Sequence, residues 1–109
     1  MLGASPSLRR GDPMTTLDTL RLRKAEIERL ATFHGARDVR VFGSVARGED
    51  TAASDIDFLV DMSDDSSLLD LVRLQQALES ALQRRADVLT TGVINPYLKD
   101  RILAEAVRL

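Results

Sequence analysis

The sequence predicts an α+β domain, a small mixed β-sheet flanked by helices. Three observations carry this: apolar residues recur at helical spacing in three separate stretches, alternate with period two in one central run, and fill short β-branched runs on either side of it. The expected order is helix, strand, short helical turn, strand, helix, strand, helix. Residues 1–14, with Gly3, Pro6, Gly11 and Pro13, read as a disordered tail in which Met14 is a candidate true start, and 15–109 as one domain.

From Thr16 to His34, Leu17, Leu20, Ile27, Leu30 and Ala31 mark one face of a single helix, and Gly35 stands where a left-handed cap belongs. Val39 to Phe42 reads as a strand cut off by Gly43, and Ser44 to Gly48 as at most one helical turn. In the run Asp55 to Val60, Ile56, Phe58 and Val60 share one face, so this second strand carries its acids on the other. Ser67 to Arg84 places Leu68, Leu71, Val72, Leu74, Leu78, Ala81 and Leu82 on a broad helical stripe. Ala86 to Thr90 returns to a strand bounded by Gly92. Asn95-Pro96 opens a last helix, with Asn as cap, Pro at the first position and Leu98, Ile102, Ala106 and Leu109 on one face.

A chain of 109 residues with 44% hydrophobic and 29% charged residues suits one globular domain. Its core must be aliphatic, since Phe33, Phe42, Phe58 and Tyr97 are the only aromatics of their kind. Seventeen acids against 15 bases, and so few stacking groups, argue against nucleic acid as a partner. The absence of cysteine removes disulfides and thiolate metal sites together. There is neither a secretory signal pattern nor a run near the roughly 20 apolar residues that span a bilayer, so the expected location is cytoplasmic, away from membranes.

The chemistry concentrates in Gly43-Ser44, ten intervening residues, then Asp55-Ile56-Asp57. Each piece alone is common, but the combination at these offsets arises by chance on the order of once in a thousand such chains. Carboxylates at i and i+2 of a strand project from one face about 6.6 Å apart, a spacing able to serve the two Mg²⁺ ions of a two-metal site. Mg²⁺ binds proteins through one or two carboxylates and completes its shell with water and substrate phosphates. Gly43 admits a phosphate close to the backbone, Ser44 and the following amides supply donors, and Arg47 is the nearest fixed cation. Asp87 is the acid on the third strand, where a neighbouring strand would bring it beside Asp55 and Asp57 as a third carboxylate. Elsewhere, His34 reads as a helix-capping cation, Tyr97 as packing, Arg84-Arg85 as positive charge at a helix end, and Asp64-Asp65 as negative charge ahead of one.

The string Val41-Phe42-Gly43-Ser44-Val45-Ala46-Arg47-Gly48, followed by Ser54-Asp55-Ile56-Asp57-Phe58-Leu59-Val60, resembles the minimal nucleotidyltransferases of the polymerase-β-like superfamily over about residues 20–109. The resemblance implies Mg²⁺-dependent transfer of a nucleoside monophosphate from a triphosphate to a hydroxyl. In it Asp55 and Asp57 hold the metals, Asp87 completes the triad and helps activate the acceptor, and Gly43, Ser44 and Arg47 cradle the triphosphate. Relatives of this bare size resemble antitoxins that use ATP to adenylylate a tyrosine of a HEPN-domain toxin, which implies such a toxin as partner. Val45, where many relatives carry Arg, is the departure, and it removes one expected phosphate contact.

A chain this short leaves little to grip an acceptor, so a partner protein is expected to present its own hydroxyl. Leu98, Leu103, Val107 and Leu109 are candidates either for docking it or for the core. The alternatives are a non-catalytic antitoxin that neutralises by occlusion, a Mn²⁺-dependent glycosyltransferase built on the Asp-x-Asp, and transfer to RNA ends.

Overall fold

Two antiparallel strands position everything that matters for the site. In the computed structural model, which describes residues 14–92 and 95–109, β1 spans Ala36–Phe42 and β2 spans Ile56–Met62, with Val41 opposite Phe58 and Phe42 opposite Asp57. β3, Ala86–Thr90, joins β2 in parallel, and a two-residue β4, Val107–Arg108, joins β1 antiparallel. The sheet order is therefore β3-β2-β1-β4. A parallel step needs a crossover, which the 15-residue helix α4, Leu68–Leu82, provides. This is the mixed sheet with flanking helices that the sequence predicts. The expected tail lies, except for Met14, outside the described residues.

Period-two alternation builds the core. Ile56, Phe58 and Val60 point to the same side as Val39, Val41, Ala86 and Val88, and all are buried with Leu74 and Leu78 of α4. Asp57 takes the opposite face, as expected; β2 starts one residue after Asp55 and runs on past Val60, so Asp61 lies on that face too. Leu59 lies between them only 1% exposed, so that face is itself partly covered. α4 starts at a capping box in which the Ser67 hydroxyl accepts from the Asp70 amide and Asp70 returns the bond. Its apolar stripe is narrower than the sequence suggests, because Leu68 and Val72 are 76% and 41% exposed.

The expected single helix over 16–34 is two, α1 Thr16–Leu22 and α2 Lys24–Phe33, broken at Arg23. The Arg23 guanidinium donates to the Ala81 carbonyl at 2.8 Å, so a bond to the end of α4 takes precedence over local periodicity. Beyond α2, Gly35 has φ +80° and serves as the expected left-handed cap. β1 begins at Ala36 rather than Val39, with a register shift between Arg37 and Arg40 where Asp38 adopts φ +53°. A short α3, Gly43–Arg47, is the expected single turn.

The last helix, α5, spans Pro96–Glu105, with Asn95 Oδ1 accepting from the Tyr97 amide as its sequence predicts. It does not continue to Leu109. The backbone extends after Ala106 and pairs with the open edge of β1, which places Leu109 against the core without a helical face shared with Leu98. Tyr97 is 93% exposed and does not pack. Among the described residues no helix is long and apolar enough to cross a membrane.

Arg84 also departs from expectation. α4 stops at Leu82 and Gln83 turns left-handed, so Arg84 stands beyond the helix end. Its guanidinium donates to Ser54 O at 2.6 Å, Thr51 O at 3.1 Å, Thr16 Oγ1 at 2.9 Å and Asp50 Oδ2 at 3.3 Å. Asp50 is 8% exposed, so this clamp neutralises a buried charge while fixing the loop that leads into β2. Arg84→Ala strands that carboxylate and is expected to cost about 2–4 kcal/mol, read from urea unfolding.

Candidate active site

β1 ends in extended backbone at Phe42, and Gly43 then takes φ +71°, a conformation that side chains other than glycine's resist. Because Phe42 pairs with Asp57, the turn after β1 lies directly against that acid. A Cβ added at Gly43 would overlap Asp57 Oδ2, with Asp57 Cγ at 3.2 Å and Cβ at 3.5 Å. Ser44 is half-buried in the first turn of α3, whose following residue, Val45, is fully buried in the core. Position 45 is thus a packing position in this fold.

Asp57 and Asp87 are register partners on parallel strands, so they share a face on backbones about 4.8 Å apart. Asp55 immediately precedes β2, where the Ile56 amide donates to Arg85 O at 3.0 Å, and Asp55 Oδ1 lies 3.9 Å from Arg85 Nε. Burial raises the Asp57 pKa first, then the charges of Asp87 and Asp55, with Glu105 adding and Arg47 opposing. Among the described residues no ion pair engages Asp57 or Asp87. Nor do three His, Cys, Asp or Glu side chains there close into a metal-binding group. The acids form an open set of hard oxygen donors with unbalanced negative charge. That donor chemistry fits Mg²⁺, which needs few protein ligands.

Arg47 closes α3 and is already engaged. Its Nε donates to Glu49 Oε1 at 2.8 Å and its NH1 to Glu105 Oε1 at 2.7 Å, and the same Glu105 oxygen accepts from the Gly43 amide at 2.7 Å. The Glu49 hydrogen bond, then the charge of Glu105, raise the guanidinium pKa.

The structure therefore gathers Gly43, Ser44, Arg47, Asp57 and Asp87 around the turn, with Asp55 at the margin. A depression of about 600 Å³ lined by Thr15, Asp50 and Arg84 lies at the loop clamp instead. Sequence reasoning missed Glu105 and the clamping role of Arg84. One signal existed for the first: an acid in the last turn of a helix opposes the dipole and calls for a partner.

The site thus sets a strand carboxylate against a glycine turn, with a second acid across a parallel ladder. The chain belongs to the nucleotidyltransferase domain family, which residues 23–109 match, and within it to the minimal nucleotidyltransferases. A solved structure described as a minimal nucleotidyltransferase has a TM-score of 0.78 and 44% identity, covering 91% of this chain and 100% of that one. A Methanocaldococcus jannaschii protein named as a protein adenylyltransferase is 54% identical over 74 residues, 68% of this chain and 80% of its own length. The protein adenylyltransferase MntA of Thermococcus cleftensis is 36% identical over 90 residues, 75% of this chain and 91% of its own. The fold is shared with a complex of tri-AMPylated Shewanella oneidensis HEPN toxin and MNT antitoxin, at TM-score 0.62 and 21% identity over 81% of this chain and 69% of that one.

Proposed function

We propose that this domain transfers AMP from ATP to a hydroxyl of a HEPN toxin, a tyrosine hydroxyl, and so acts as the antitoxin of that pair in the cytoplasm. The observation that carries the reading is the in-register pairing of Asp57 with Asp87 beside the Gly43 turn. The adenylyltransferase relatives support AMP as the group moved and a protein as its acceptor.

In this reading the Gly43 and Ser44 amides, the Ser44 hydroxyl and the Arg47 guanidinium hold the triphosphate. Asp55, Asp57 and Asp87 would hold two Mg²⁺ ions, which would offset the triphosphate charge and polarise the acceptor. The acceptor oxygen bonds to the α-phosphorus as the bond to the bridging oxygen breaks. Pyrophosphate leaves with that electron pair, and Asp87 takes the hydroxyl proton. Asp87 suits a bulky acceptor because it is exposed on β3, at the edge of the sheet.

Co-expression with the adjacent open reading frame and intact-mass measurement of the partner tests this. The expected result is a gain in units of a nucleoside monophosphate, absent when Asp55→Ala and Asp57→Ala are combined. An unmodified but still neutralised partner would replace transfer with occlusion.

A further inference from the structure

Glu105 is the last residue of α5, where a negative charge faces the negative end of the helix dipole. What offsets this is a pair of short bonds to one oxygen, from the Gly43 amide and from Arg47 NH1, each at 2.7 Å. Both donors belong to the groups that the proposed function gives to the triphosphate, and the inference rests on that reading. A carboxylate oxygen and a phosphate oxygen ask for the same thing here: charged or amide N–H donors at short range, offered to an anion. They cannot both have it. The helix carrying Glu105 has no buried residue, and it is the chain after it that is anchored, by pairing with β1 and by Leu109 against the core.

We propose that Glu105 fills the triphosphate cradle in the nucleotide-free protein and must leave it for the nucleotide to bind, so that this residue sets nucleotide affinity. Glu105 is then neither a metal ligand nor a base but an internal competitor. If the cradle stands open about a tenth of the time, apparent affinity is reduced about tenfold, and removing the competitor restores it.

The test is ATP titration of the full chain and of its Glu105→Gln and Glu105→Ala variants, with EDTA and again with Mg²⁺, by calorimetry and by the Gly43 amide resonance. Circular-dichroism melting establishes that each variant is folded. The dissociation constant is expected to fall about threefold for Gln, which still offers an oxygen but no charge, and about tenfold for Ala. An unchanged constant in EDTA overturns the inference, as does weaker binding with Mg²⁺, which would make Glu105 a metal ligand. Inorganic tripolyphosphate separates the two readings. If it binds with the same order of variants while ATP does not bind, the cradle inference stands and the ATP reading falls; if it binds none of the three, the inference falls as well.

Discussion

Asp57→Asn is expected to lower nucleotidyl transfer on the order of 10³-fold while making the metal-free protein harder to melt. The two effects have one origin. Burial, then the charges of Asp87 and Asp55, hold the Asp57 carboxyl above its ordinary value of 3.8 in the native state. A group whose native pKa is raised contributes stability fully present below its unfolded pKa and lost as pH rises through the native one. Ionised Asp57 therefore works against the fold at neutral pH, where the proposed metal binding calls for it charged. Calorimetry in EDTA should find the wild-type melting temperature falling relative to the variant as pH rises from that ordinary value toward neutrality. Adding Mg²⁺ should raise the wild-type melting temperature and have much less effect on the variant. A variant that melts no higher than wild type in EDTA would remove this electrostatic account.

Gly43→Ala is expected to cost about 1–3 kcal/mol of stability and on the order of 10²-fold or more in activity. Left-handed backbone supplies part of the stability cost, and the collision with Asp57 supplies the rest together with the kinetic effect. Gly48→Ala separates them. Gly48 has a similar φ of +73° but open space where a Cβ would go, so its variant should lose stability on the backbone scale and keep its activity. Urea unfolding and initial-rate measurements on both variants decide whether the close approach to Asp57, rather than the turn alone, matters.

That Asp57 and Asp87 share a face was legible because it depends on short-range rules; Asp55, expected on the same strand as Asp57, stands just ahead of β2 instead. Period two sets which face Asp57 and Asp87 share, and a crossover helix of the length seen in α4 makes β2 and β3 parallel neighbours. What stayed hidden depends on partners far along the chain. The break at Arg23 answers to Ala81, 58 residues away, and Glu105 reaches back 62 residues to Gly43. Arg84 contacts Thr16 across 68 residues, and nothing in its neighbours distinguishes that from an ordinary charged helix end. The C-terminal strand was lost for a related reason: two residues carry no alternation, and only the open edge of β1 draws them into pairing.

The Arg84 clamp also bears on how the motif travels. Residues 43–57 look like a cassette, a stretch that could be cut out and set into another sheet with its acids intact. They include Asp50, however, and its neutralising guanidinium arrives from the turn between α4 and β3 while its hydroxyl donor, Thr16, arrives from α1 at 2.6 Å. A transplanted copy would carry a buried charge without either partner. The heritable unit is therefore the loop together with two positions far outside it, and recombination or design that moves one must move all three.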